Sequence, residues 1–202
     1  MAEVSAAVVR DLREKTGAGM MDCKKALSEV GGDMEKAVDW LRTKGLASAA
    51  KKAGRATNQG LVHAYVHTGG KVGVLIEVNC ESDFVARTDD FPELCRDLCM
   101  QVAASIPACV RREEFPADVL EREKVIFAAQ AQESGKPAAV IEKMIAGRIE
   151  KLYKETVLLE QPFIKDPNIT VEDRVKQAIT KLGENITVRR FVRFQLGEGA
   201  AN

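Results

Sequence analysis

Aromatic side chains are scarce in this sequence, 5% of 202 residues. That scarcity removes the row of stacking rings on which single-stranded nucleic acid is bound. Histidine is rarer still, with only His63 and His67. Both fall on one strand pattern, where four residues of strand separate them by roughly 13 Å, too far to grip one metal ion. Neither lies in a recognisable Ser or Cys nucleophile motif, so no catalytic residue, no covalent chemistry and no cofactor is expected. The five cysteines, Cys23, Cys80, Cys95, Cys99 and Cys109, form no Cys-x-x-Cys. Cys95 and Cys99 share a helical face, but with no His nearby and no second pair at ligand spacing they do not read as a zinc site. Charge of neither sign is in excess, with 30 Lys plus Arg against 30 Asp plus Glu, which gives no push towards nucleic acid or membrane. No apolar run nears the roughly 18–20 residues that cross a bilayer. The opening Met1-Ala2-Glu3-Val4-Ser5 has neither a basic nor an apolar signal region, so a cytoplasmic protein with reduced thiols is expected. Gly17-Ala18-Gly19 followed by Lys24-Lys25 lacks the Gly-Lys-Ser/Thr element and a preceding strand, which excludes a phosphate loop.

What is present supports a real core: 46% of residues are hydrophobic and 30% charged. Residues 1 to about 45 read as three short helices. Val4, Val8 and Leu12 recur every fourth residue in the first, with Gly17 as its stop. Met20, Cys23, Leu27 and Val30 stripe the second, and Gly31-Gly32 closes it. Asp33 caps the third, which turns Met34, Ala37, Val38 and Leu41 inward and is expected to end at Gly45. A three-helix domain this small is marginal alone and suits a binding module. Arg42, Lys44, Lys51, Lys52 and Arg55 follow with no acid among them. This Ala-rich basic stretch over 42–55 reads as a linker that is in part helical, with the linker proper placed at 46–58, and as either a solvated face or a contact for an acidic partner.

Leu61–His67 and Val72–Asn79 are strand patterns joined by Thr68-Gly69-Gly70-Lys71, a hairpin signal. Residues 117–133 and 138–153 predict an antiparallel helical hairpin around Ser134-Gly135-Lys136-Pro137, with Pro137 at the first position of its second helix. Val119, Ile126 and Phe127 are expected to face Ile141, Met144, Ile145 and Ile149. Thr170 caps a last helix that Gly183 stops. Ile186–Leu196 then reads as a strand with Ile186, Val188, Val192 and Phe194 on one face, although Arg190 falls on that face too. The fold class is α+β. It comprises a three-helix domain (1–45), the linker (46–58), and a core (59–202) of a small antiparallel three-stranded sheet packed with helices and a helical hairpin over about 117–154.

Ser82-Asp83-Phe84-Val85 lies between the apolar run Val72–Val78 and the helix stripe Leu94, Leu98, Val102, with Pro92 in that helix's first turn. A carboxylate beside a large aromatic thus sits in a short strand-to-helix connection, and connections run over the surface. The alternative is that Asp83 caps a helical turn and Phe84 tucks into the core.

Two segments carry a family resemblance. Arg10-Asp-Leu-Arg-Glu-Lys-Thr-Gly-Ala-Gly-Met-Met-Asp-Cys-Lys-Lys-Ala-Leu27 resembles the N-terminal signature of the translation elongation factor Ts family, and Asn79-Cys-Glu-Ser-Asp-Phe-Val-Ala-Arg87 resembles its second signature. The resemblance extends through Ser134-Gly-Lys-Pro137, Gln161-Pro-Phe163, Val192-Arg-Phe194 and Gly197-Glu-Gly199. It implies a guanine nucleotide exchange factor for elongation factor Tu, the GTPase that delivers aminoacyl-tRNA to the ribosome. It also implies a ubiquitin-associated-like N-terminal domain that contacts the GTPase's nucleotide-binding domain, here through Arg13, Gly19, Met20, Met21, Lys24 and Lys25. Asp83 and Phe84, flanked by Ser82 and Val85, would insert between helices of the GTPase and displace its magnesium, so that GDP leaves. Where the family usually has Thr, Ser82 keeps the hydroxyl.

Longer family members carry two related sheet subdomains and a C-terminal helical extension, against one hairpin-plus-strand set here and an end at Asn202. The short class pairs two chains, so a homodimer is expected to restore the missing half. No direct nucleic-acid or membrane partner is expected. Two other readings stay open from the residues alone. One is a general interaction module on the N-terminal helices, which would leave Phe84 buried. The other is RNA binding through the basic 42–55 stretch.

Overall fold

A computed structural model of the chain describes residues 4–133 and 136–198. The expected connector residues Ser134 and Gly135, and Gly199 of the trailing motif, lie outside the described residues. The chain forms two compact units. One comprises Met1–Leu61, Val78–Leu94 and Asp173–Thr187, and the other Val62–Glu77, Cys95–Glu172 and Val188–Asn202.

In the first unit, helices α1 (Ala6–Thr16), α2 (Met20–Glu29) and α3 (Met34–Lys52) pack on one another. Their ends are chemically marked. The Ser5 hydroxyl accepts from Val8 N–H, Gly17 takes a left-handed φ of 66°, and the Asp33 carboxylate accepts from Lys36 N–H at 3.1 Å. Val9, Leu12, Cys23, Ala26, Leu27, Ala37 and Leu41 form the buried cluster. Met20 does not join it: it is exposed, whereas Ala26, on the other flank of the stripe, is buried. The expected stop at Gly45 is also absent, because α3 runs on through Lys52 and takes in every cation of the basic stretch except Arg55. Gly45 is buried there, and a Cβ on it would lie 3.1 Å from the Thr180 hydroxyl, which donates to the Gly45 carbonyl. The glycine serves close approach, not termination.

Strands β1 (Gln59–Val66), β2 (Val72–Cys80) and β5 (Ile186–Gln195) make an antiparallel sheet in the order β1-β2-β5. Between β2 and β5 come α4 (Asp83–Ala86), α5 (Asp90–Ser105), α6 (Ala117–Gln132), α7 (Ala138–Thr156), the short antiparallel pair β3 (Pro162–Phe163) and β4 (Asp166–Thr170), and α8 (Val171–Leu182). Gly183, with φ of 80°, ends α8 as expected. Pro137 stands one position before α7 and so caps it from outside. In the hairpin of α6 and α7 the inward residues of α6 are Leu120, Phe127 and Ala131, while Val119 and Ile126 are exposed. The stripe is therefore offset from the expected one. Leu120 is drawn in by the cluster of Cys109, Phe115 and Val157.

In the second unit the buried amides Gln101 and Gln161 bond to each other at 3.1 Å. Gln101 Oε1 accepts from Ile164 N–H at 2.8 Å, and Gln161 Nε2 donates to the Glu155 carbonyl at 2.7 Å. This gives the Gln161-Pro162-Phe163 segment a physical role as a fully satisfied buried polar anchor.

β5 changes phase along its length. Ile186 and Val188 are buried, Arg189 and Arg190 are both exposed, and thereafter Phe191 and Arg193 turn inward while Val192 and Phe194 turn outward. The expectation of one continuous apolar face is thus corrected. Two consecutive outward residues shift the alternation by one, as an extra residue in a strand does. Arg190 is freed from the core and pairs with Glu77 at 2.7 Å, and Arg193 donates to the Ala103 carbonyl. The outer side of this part of the sheet carries Val62, Val66, Leu75, Val192, Phe194 and Leu196, all exposed, with Val62 at 70% and Phe194 at 67%.

Candidate functional site

Asp83–Ala86 form a single helical turn, α4. Ser82 precedes it in extended conformation (φ −125°, ψ 156°), and its hydroxyl accepts from Val85 N–H at 3.4 Å. Ser82, not Asp83, is the cap. The turn sends Val85 and Ala86 into the interior and leaves Phe84 77% exposed. Exposure overturns the reading in which Phe84 belongs to the core; Phe91, seven residues on, is the fully buried ring. Asp83 is exposed beside it and pairs with Arg87 at 2.9 Å. Thr88 closes the turn by donating its hydroxyl to the Val85 carbonyl at 2.8 Å.

A one-turn helix cannot hold itself, since nucleation costs more than one turn of hydrogen bonds returns. The restraint comes from the chain that follows α8. Glu184 Oε2 accepts from Glu81 N–H at 3.1 Å and Ser82 N–H at 2.9 Å, and its Oε1 accepts from the Ser82 hydroxyl at 2.6 Å. In return Glu81 Oε1 accepts from Asn185 N–H at 2.6 Å and from Arg55 at 3.4 Å. The buried Asn185 amide donates to the carbonyls of Ala53 and Arg55, at 3.4 and 2.8 Å, just past the end of α3. Cys80 donates its thiol to the Ser82 carbonyl at 3.1 Å, and burial, followed by the charge of Glu184, pushes that thiol's pKa up. Glu81 falls within the Asn79–Arg87 segment, but nothing in the local pattern gives it, Glu184 or Asn185 a role. Apart from the Glu81–Arg55 contact, 26 positions apart, their partners lie more than a hundred positions away, and only charge and polarity near a helix end are visible locally.

Arg13, Gly19, Met20, Met21, Lys24 and Lys25 lie on α1, α2 and the turn between them, and all are exposed. Met21 is 76% exposed. Among the described residues, Arg13, Lys24 and Lys25 form no ion pair, whereas Asp22 is taken by Lys44 at 2.7 Å. The basic stretch is largely committed within the same unit: Arg42 pairs with Asp173 at 3.9 Å, Lys44 with Asp22, and Arg55 with Glu81. Among the described residues no group of three His, Cys, Asp or Glu side chains is placed to hold a metal, and no helix is long and apolar enough to cross a membrane.

The family model described as Elongation factor TS matches residues 46–198. The elongation factor Ts of Heliobacterium modesticaldum is 61% identical over 198 residues, 98% of this chain and 92% of that protein. That of Moorella thermoacetica is 63% identical over 196 residues, 97% of each. That of Fervidobacterium nodosum is 60% identical over 196 residues, 97% of this chain and all of the relative. On matches of this length and identity, the chain belongs to the elongation factor Ts family.

Proposed function

We propose that this chain is a guanine nucleotide exchange factor for elongation factor Tu in the elongation phase of protein synthesis, acting in the cytoplasm without covalent chemistry of its own. The observation that carries this reading is the presentation of Phe84 in water on a turn whose backbone is restrained from both sides. An exposed ring on a fixed turn has apolar area to give to a partner and little ordering entropy left to lose. Burying Phe84 between helices of the GTPase contributes up to roughly 1.5–3 kcal/mol. Asp83, beside it, reorients polar groups near the partner's magnesium. GDP phosphates are held by that metal and by helix N-terminal amides, so displacing the metal weakens GDP without touching the guanine. The exposed segment of Arg13, Gly19, Met20, Met21, Lys24 and Lys25 makes the first contact, with its unpaired cations as a steering rim.

Coupling is reciprocal: the factor by which this chain lowers GDP affinity is the factor by which GDP lowers affinity for this chain. GDP-bound and nucleotide-free forms of the GTPase are both bound, and incoming GTP clears the factor. A homodimer is part of the proposal. The exposed outer side of the sheet, with Val62, Val66, Leu75, Val192, Phe194 and Leu196, is apolar area that a second copy covers. The test is release of labelled GDP from elongation factor Tu with and without this chain. An unchanged rate across a micromolar titration would end the proposal.

A further inference from the structure

We infer that Glu184 is a positioning residue for exchange, acting through Ser82 on Asp83 and Phe84; this rests on the exchange reading above. The carboxylate takes three donors at once, two consecutive amides and a hydroxyl, at 3.1, 2.9 and 2.6 Å. Hydrogen bonds to an ionised acceptor are the stronger class. The Ser82 hydroxyl gives its proton to Glu184 and so keeps a lone pair for Val85 N–H, the one cap bond of α4. Glu184 thereby sets both the backbone entering the turn and the orientation of its cap.

The arrangement is reciprocal. The dipeptides Glu81-Ser82 and Glu184-Asn185 clasp each other, each carboxylate accepting from the other's backbone. Asn185 extends the clasp to the carbonyls of Ala53 and Arg55. Gly183, at φ 80°, makes it possible by turning the chain sharply at the end of α8. Without Glu184, the turn retains the buried Val85 and Ala86 as anchors but loses the fixed entry angle that holds Phe84 outward. A loosened ring must be ordered at the moment of insertion, and that cost falls on the exchange step more than on the first contact.

The test is pre-steady-state GDP release from elongation factor Tu over a titration of the chain, with wild type, Glu184→Ala, Glu184→Gln, Phe84→Ala and the double variant Glu184→Ala/Phe84→Ala. Glu184→Ala is expected to lower the maximal release rate about tenfold while leaving the half-saturating concentration within about twofold. Glu184→Gln, which keeps the shape and one oxygen acceptor, is expected to fall between it and wild type. The double variant is expected to release GDP no more slowly than Phe84→Ala, because Glu184 works through the same element. Amide hydrogen exchange supplies a readout without the partner. Glu81 and Ser82 lose protection in Glu184→Ala while α1 and α2 keep theirs. Should Glu184→Ala fail to fold, Glu184→Gln decides alone: a wild-type maximal rate overturns the inference. Full maximal rate in Glu184→Ala, or losses that add in the double variant, also overturns it. If wild type itself leaves GDP release unchanged, the exchange reading falls and this inference falls with it.

Discussion

Phe84 and Val85 are neighbours in sequence and opposites in environment, the first 77% exposed and the second 4%. Both sit on the one helical turn capped by Ser82, about 100° apart around its axis. Phe84→Ala therefore removes a ring that the isolated fold does not use. Its stability by urea unfolding is expected to stay within about 0.5 kcal/mol of wild type. Maximal GDP release from elongation factor Tu is expected to fall by roughly tenfold or more, the equivalent of the apolar area forgone. A lowered unfolding midpoint with normal release would place the ring in the core instead.

The outer side of the sheet gives a second expectation. Phe194→Glu puts a charge on a residue that is already in water in the single chain, so the thermal melt at high dilution is expected to stay unchanged. Sedimentation equilibrium is expected to find wild type dimeric at micromolar concentration and the variant monomeric, with exchange reduced in proportion. A wild-type monomer with full exchange activity would show that this face has no second copy to cover it.

Gly60 gives a prediction about stability alone. Its φ is 147°, and a Cβ placed there would come 2.2 Å from the Val78 carbonyl oxygen on the neighbouring strand. Gly60→Ala is expected to cost about 2–3 kcal/mol in urea unfolding through overpacking and backbone strain. Gly73→Ala in the same sheet meets nothing within 4 Å and serves as the control.

Thiol titration sets an alkaline limit. Burial pushes Cys99 up to about 12 and Cys109 up to about 11, each from an ordinary value of 9.0. Folded thiols then keep protons that the unfolded chain gives up. Above about pH 9 the unfolded state binds fewer protons, so stability falls as pH rises towards the folded values and is unaffected below. Urea unfolding of wild type and Cys99→Ala at pH 7.5 and pH 10.5 is expected to show a shallower loss in the variant.

Much of this architecture was legible because its signals are local. Asp33 caps a helix, Gly17 and Gly183 end helices, and Val74, Ile76 and Val78 alternate with outward neighbours. Misreadings arose where a distant partner decides. Gly45 carries the composition of a stop, but its neighbour is Thr180, 135 positions away. The offset of α6 depends on the cluster around Phe115, which no helical periodicity within α6 can reveal. At the candidate site the aromatic and the acid stood out from their types and their place between a strand and a helix. Glu184 did not, because a carboxylate after a helix-ending glycine looks the same whether it faces water or two backbone amides 103 and 102 positions away.

The phase shift at Arg189 and Arg190 has a consequence for solubility. It sets the Arg190–Glu77 pair on the same outward side of the sheet as Val192 and Phe194, and β1 and β5 are the outer strands of that sheet. Open edges beside an apolar face are the arrangement from which strands add to one another without limit. A charged pair set into that face acts as a gatekeeper: it permits a match with a surface that offers counter-charges at the same spacing and makes stacking in any other register costly. Neutralising both residues removes no member of the buried core and is expected to raise concentration-dependent light scattering above that of wild type.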